Sequence, residues 1–288
     1  MTTEELIKKV RAIEIKSKGL SNHIFAGAYQ TAFKGRGMIF SEVREYAPGD
    51  DVRDIDWNVT ARFSSPHVKV YEEERELNLM LMIDISNSIH QAAHARSKRE
   101  VIAELAAILS FAALRNNDQV GAIFFSGQVD LYIPPKKGKR HILTIIRKIL
   151  SVEAGAHTES NFQEALYFMN RVSKKKNIVF MMSDFLGHVP DKELRMAARK
   201  HDFIAMKLED TLDRSMPSLG LLKVRDSESK KWAWLTTSNK KLQKQWTHQF
   251  EQHKRQLVQQ FNKYRAHCIH LQTNEDYVKD LQLFFQRR

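Results

Sequence analysis

The sequence predicts a doubly wound α/β protein whose sheet is mostly parallel with one antiparallel edge hairpin. Three observations carry that expectation. From residue 77 onward, nearly continuous apolar runs such as LNLMLMIDI and NIVFMMSDF alternate with helical segments. Runs of this kind belong to strands covered on both faces. QVGAIFFS and VDLYIPP are separated by little more than Gly127 and Gln128, too short a link for a parallel crossover. Finally, 288 residues with 42% hydrophobic content can bury a sizeable core.

Taken in order, residues 2–16 read as an amphipathic helix. Thr2 and Glu5 have capping-box spacing, and Leu6, Val10 and Ile13 share a face. A strand-containing unit follows, punctuated by turns at Gly35-Arg36-Gly37 and Pro48-Gly49-Asp50 and anchored by Phe40, Tyr46 and Trp57. Residues 1–76 are therefore read as one N-terminal unit and 77–288 as the α/β domain. Within that domain, helices are expected over about 96–115, 138–151, 161–172 and 191–200, alternating with strands in NIVFMMSDF and DFIAMKL. A hairpin turning at Asp226 to Ser229 and a long helix over 239–264 form an insertion at about 212–264. Leu242, Trp246, Phe250, Leu257 and Phe261 make that helix's inward stripe. HCIHLQT supplies the final strand and residues 275–286 the final helix.

Composition excludes several classes. No apolar run approaches the roughly 20 residues that cross a bilayer, and the start MTTEELIKKV lacks the layout of a secretory signal. A cytoplasmic protein is expected. Cys268 is the only cysteine, which excludes an internal disulfide and a cysteine zinc site. The formal charge is +12, and residues 211–288 hold 15 Lys and Arg against 7 Asp and Glu. Such a surplus suits nucleic acid, an anionic surface or an acidic protein. The twelve histidines show no His-Glu-x-x-His motif, and His90 with His94 reads as a solvated helix start. In the acidic run PGDDVRDID, Asp50, Asp51, Asp54 and Asp56 are expected to pair with Arg44, Arg53 and Arg62 rather than to bind calcium.

Chemistry concentrates where strands end. Asp84 closes the first strand of the α/β domain and Asp184 follows NIVFMMS. In doubly wound sheets, ligands gather beyond the carboxyl ends of central strands, so neighbouring strands would bring both carboxylates to one crevice. Asp84, Ser86 and Ser88 alternate, and the loop EAGAHTES offers Thr158. The set is all oxygen and suits a hard cation. Three neutral hydroxyls leave the ion's charge partly uncompensated, so an open position would attract a carboxylate from another protein. Two bland alternatives stand beside this reading: serines that cap the next helix, and a capping box of Ser160 and Gln163 beside Thr158.

Asp84-Ile85-Ser86-Asn87-Ser88, with Thr158 and Asp184 following in order, resembles the metal-ion-dependent adhesion site of von Willebrand factor A domains. The stretch GRGMIFSEVREYAPGDDVRDIDWNVTAR resembles the N-terminal signature of a bacterial family, domain of unknown function 58, associated with MoxR-type AAA+ ATPases. The resemblance implies a Rossmann-like domain of the von Willebrand factor A type. It also implies a Mg2+ ion (or Mn2+ or Ca2+) on Asp84, Ser86, Ser88, Thr158 and Asp184, and an ATPase partner. That family's threonine loop is usually glycine-rich, whereas Ala156 and His157 precede Thr158 here.

Three functions are open. The first is a non-catalytic adaptor or co-chaperone whose metal grips an acidic residue of a protein ligand. The second is a phosphatase of the haloacid-dehalogenase type, with Asp84 as nucleophile. Such enzymes need an acid two residues later, where this chain has Ser86, and a second late carboxylate that SDFLGH lacks. The third is weak nucleic-acid binding by the basic C-terminal quarter. It is disfavoured because Trp246, Phe250 and Phe261 are expected to face inward, unavailable for stacking.

Overall fold

The computed structural model describes residues 3–25, 39–63, 65–72, 77–90, 96–152, 160–225 and 232–288. Thr2, Thr158, His94, the Gly35-Arg36-Gly37 turn and the Asp226 to Ser229 turn lie outside the described residues. So do the side chains of Leu6, Phe40 and His90. The chain forms two compact units, residues 33–77 and the remainder.

The smaller unit is built on strands β1 (Ile39–Glu45) and β2 (His67–Glu72), paired antiparallel with a bulge between Phe40 and Glu42. A single 3-10 turn (Val52–Asp54) and the short helix α2 (Trp57–Thr60) bridge them, the long helix α1 (Thr3–Phe25) having preceded. Arg44 grips Asp50 through two parallel bonds of 2.7 and 2.8 Å, as expected. Asp51 and Asp56 behave differently. Asp51 accepts from the Arg53 amide and Asp56 from the Asn58 and Val59 amides, each capping a turn. The cation beside Asp56 is Lys69, at 3.5 Å, and not an arginine. In so short a helix the orphan amides outcompete distant guanidinium groups for these carboxylates.

The larger unit contains α1 (Thr3–Phe25), which the sequence analysis grouped with residues 1–76. Val10 and Ile13 are buried. Ion pairs tie α1 to the α/β body: Lys9 to Glu100, Lys16 to Glu104 at 2.6 Å, and Glu14 to Lys139 at 2.8 Å. A charged helix carrying one apolar stripe needs a surface to cover, and the helices over 98–115 and 139–151 provide it.

Six strands make the central sheet: β3 (Asn78–Asp84), β4 (Gln119–Phe125), β5 (Val129–Lys136), β6 (Ile178–Ser183), β7 (Asp202–Glu209) and β10 (His267–Gln272). Their spatial order is β10-β7-β6-β3-β4-β5. All neighbours are parallel except β4 and β5, the expected edge hairpin. Counted from the first strand of this sheet, the order is the doubly wound 3-2-1-4-5-6. Its direction of winding reverses between β3 and β6.

Side chains alternate across the pleat. Met80 and Met82 join a core with Phe162, Leu166 and Met169 of α6 (Phe162–Val172), and with Leu257 and Phe261 of α9 (Lys240–Lys263). Leu79, Leu81 and Ile83 are equally buried on the other face. There α4 (Lys98–Arg115), following the short α3 (Asn87–His90), packs on the strand and on α5 (Lys139–Ser151). Burial on both faces explains the unbroken apolar runs. Helix α7 (Asp191–Lys200) precedes β7, and the short α8 (Thr211–Arg214) follows it. Helix α10 (Tyr277–Gln286) follows β10.

Strands β8 (Leu221–Arg225) and β9 (Trp232–Thr236) form a separate hairpin. Trp232 and Trp234 are exposed, and the Lys223 ammonium lies 5.0 Å from the Trp232 ring centre. In α9, Phe250, Leu257 and Phe261 are buried as expected, but Trp246 is 42% exposed. Its indole N–H donates to the Asp213 carbonyl at 3.0 Å. The polar edge of that ring is used to hold α8 at the surface instead of filling the core. Cys268 is half-buried and packs on the core, where burial pushes its thiol up to about 12.

One buried imidazole makes stability depend on pH. His201 ends α7, and its Nδ1 accepts the Asn177 amide at 3.2 Å while its Nε2 has no partner among the described residues. Burial, helped by the Lys200 charge, lowers its pKa to about 4. The unfolded chain protonates this ring near 6.5 and the folded chain only near 4, so acid favours unfolding. The contribution is whole above about 6.5 and is lost as the pH falls through about 4. After allowance for solvent screening it is on the order of 2 kcal/mol. Urea unfolding at pH 7.5 and 4.5 should show a smaller acid loss in His201→Gln than in the parent chain.

Candidate functional site

The reversal point between β3 and β6 assembles the site. Asp84 is completely buried at the end of β3. The next amide, Ile85, donates to the Phe125 carbonyl at 2.8 Å, which carries the chain out over the end of β4. The Ser86 amide folds back onto Asp84 Oδ1 at 2.9 Å. The Ser183 hydroxyl at the end of β6 donates to Asp84 Oδ2 at 2.5 Å, and the Ser160 hydroxyl donates to the same oxygen at 2.6 Å. Ser86 Oγ and Ser88 Oγ lie 3.0 Å apart.

Ser160 is there for identifiable reasons. The neighbouring Asn161 amide donates to the Ser126 carbonyl at the end of β4. Asn161, not Ser160, caps α6 by accepting the Glu164 amide, so no capping box forms between Ser160 and Gln163. The Ser160 hydroxyl is thereby released to Asp84. Gly187 lets the opposite loop come close: a β-carbon there would lie 3.2 Å from the Ser160 carbonyl and from the Phe162 ring.

Asp184 stands beside Asp84, and its charge helps set Asp84's acidity. Burial first, and the Asp184 charge second, push the Asp84 carboxyl up to about 6 against the pull of its three donors. Two buried carboxylates this close favour a cation between or beside them. The backbone after Asp184 is constrained: Phe185 has φ of 51°, its amide donates to Ser183 Oγ at 3.0 Å, and its ring stacks on Phe162 at 5.4 Å. The His253 imidazole of α9 pairs with the Phe185 carbonyl at 2.7 Å.

Asp184 is not free. Lys98, itself buried, reaches Asp184 Oδ2 at 3.1 Å and the two Asp213 oxygens at 2.9 and 3.1 Å. Burial pulls the Lys98 ammonium down, but Asp184 and Asp213 more than reverse that, leaving it above the ordinary lysine value. A second buried ammonium, Lys207 of β7, donates to the Asp184 carbonyl at 2.7 Å and lies 5.5 Å from the Phe250 ring centre. Burial lowers its pKa. Further along β7, Glu209 accepts from Lys254 and pairs with His270, each at 2.9 Å. Although burial opposes it, these bonds hold Glu209 down at about 2. A continuous charged layer therefore runs behind the site.

The expected ligands Asp84, Ser86 and Ser88 come together, and Asp184 lies beside them on a lysine. Thr158 lies outside the described residues. Among the described residues no three His, Cys, Asp or Glu side chains gather to hold a metal. Any divalent ion here must rest on hydroxyls beside carboxylate. The 3.0 Å separation of the serine oxygens equals the edge of an octahedron with metal–oxygen bonds of about 2.1 Å, the magnesium geometry. Asp84 Oδ1 receives one donor among the described residues and keeps a lone pair. The residues fit a hard cation.

Sequence reasoning missed Ser160, Ser183, Lys98, Lys207 and Asp213. Lys207 was visible as a charge inside the apolar strand DFIAMKL, a position where an unpaired lysine would be costly.

The family model described as "Protein of unknown function DUF58" matches residues 42–256. The chain belongs to the DUF58 family. This DUF58 chain is 30% identical over 227 residues to the uncharacterised protein Rv1480 of Mycobacterium tuberculosis, a match covering 78% of the chain and 72% of that relative. It is 28% identical over 111 residues to YeaD, an uncharacterised protein of Bacillus subtilis, covering 38% and 26% respectively. Among solved structures it is similar to an aerotolerance-related membrane protein from Bacteroides fragilis, with TM-score 0.49 and 13% identity over 74% of this chain and 100% of that one. It is also similar to the VWA domain of SpRpn10, with TM-score 0.43 and 10% identity over 72% and 94%. Among the described residues of this DUF58 chain, no helix is long and apolar enough to cross a membrane.

Proposed function

We propose that this protein is a non-catalytic, metal-dependent interaction module, an adaptor or co-chaperone working with a MoxR-type AAA+ ATPase in the assembly or maturation of a protein complex. The observation that carries the reading is the paired hydroxyls of Ser86 and Ser88, 3.0 Å apart beside a fully buried Asp84. Asp84, Ser86 and Ser88 would hold a Mg2+ ion, or Mn2+ or Ca2+ in its place, together with Asp184 and, as the resemblance implies, Thr158. The ion would supply uncompensated positive charge, on which an acidic residue of a protein ligand could close. The ATPase partner rests on the family's association alone.

The constellation argues against phosphoryl transfer. An aspartyl nucleophile needs a carboxylic acid close by to protonate the leaving group, and the neighbouring one, Asp184, is held by the Lys98 ammonium. The position two residues after Asp84 is Ser86, and Asp84 Oδ2 is taken by two hydroxyl donors.

The test uses the full chain and the recombinant MoxR-type ATPase from the same genome. Calorimetry with magnesium alone should give saturable binding, and capture of the ATPase should occur in magnesium and fail in excess chelator. Absence of magnesium binding, or capture indifferent to the chelator, would overturn the reading.

A further inference from the structure

The two carboxylates of the crevice have unlike partners. Asp84 is held by two hydroxyls and an amide, all neutral donors. Asp184 is held by an ammonium that the chain itself supplies. Lys98 occupies the first turn of α4, where Ser97 and Glu100 form a capping box that fixes the start of the helix. Its side chain is only 3% exposed, so this cation is committed to the interior. It is shared: Asp184 Oδ2 lies at 3.1 Å, and Asp213, on the surface helix α8 and 20% exposed, at 2.9 Å. Asp213 is steadied in turn by the Asp210 amide, which donates to its Oδ2 at 2.7 Å.

We propose that Lys98 is a built-in competitor of the divalent ion: it occupies Asp184 and weakens metal binding, and Asp213 sets how strongly by drawing the ammonium away. The inference deepens the metal reading of the crevice and rests on it. The physical basis is direct. A divalent ion gains from each carboxylate it can approach and loses from each cation already there, and both terms are large where water is excluded. With the Asp213 carboxylate in place, the ammonium divides its bonds between two carboxylates. With an amide there instead, it should turn wholly to Asp184. Affinity for the ion should then be adjustable from α8, a surface element, with no change in the ligands themselves.

Magnesium calorimetry on the full chain tests this, with a thermal unfolding curve for each protein. Lys98→Met should bind magnesium about tenfold more tightly and Asp213→Asn several-fold more weakly. Lys254→Met removes the same charge from the Glu209 pair and should change affinity by less than about twofold. A purely structural Lys98 would weaken binding in both site variants or move neither, and either result overturns the proposal. Equal tightening in Lys254→Met also overturns it, because the effect would then be one of net charge. If Lys98→Met fails to fold, the double variant Lys98→Gln/Asp213→Asn decides: it leaves the net charge unchanged and should still bind magnesium more tightly than the parent chain. Absence of binding in the parent chain removes the metal reading itself. Binding in the parent with no opposed shifts removes only the role of Lys98.

Discussion

Asp84→Asn is expected to lose magnesium binding by more than about 100-fold while the protein stays folded, since changes to outer-shell partners alone cost about 10–100-fold. The amide keeps the size of the carboxylate and an acceptor oxygen, so the Ser160 and Ser183 hydroxyls retain a partner. It also removes a buried negative charge from beside Asp184. The unfolding midpoint at neutral pH should therefore hold or rise. Calorimetry gives the affinity and far-ultraviolet circular dichroism the fold. Unchanged magnesium heats in this variant would show that the crevice is not the metal site.

The second large effect belongs to the core behind the crevice. Phe261 is fully buried, meets Phe185 edge-on at 5.7 Å and stacks near Phe203 at 6.2 Å. Phe261→Ala should cost about 3–5 kcal/mol, the range for emptying a buried aromatic site. Urea unfolding should show the midpoint falling with little change in slope. A loss under about 1 kcal/mol would mean that the cavity collapses or fills, and that α9 is held by its polar bonds instead.

How far the sequence reached depended on the range of the interaction. The strands of the central sheet were legible because burial on both faces leaves nothing but apolar residues, as in LMLMI and IVFMM. Asp84, Ser86 and Ser88 were legible because a polar cluster ending such a run has local spacing to read. Helix α1 was misplaced because its stripe says that it packs, not on what. Trp246 was misplaced because helical periodicity registers an aromatic ring without its N–H, and that group found the Asp213 carbonyl. The lysine on Asp184 was beyond reach: 86 residues separate Lys98 from its partner, and 115 separate it from Asp213. Ser160 was hidden by a plausible local alternative, the capping box, which Asn161 displaced.

The clasp that α9 places on the loop after β6 has a consequence for the growing chain. His253 holds the Phe185 carbonyl, and Gln260 donates to the Val189 carbonyl at 2.7 Å and to Asp191 at 2.8 Å. In a chain still being made, both aspartates emerge long before the residues that fasten the loop following the second of them. Until the helix over 240–263 has left the ribosome and docked, one wall of the crevice lacks its fastening.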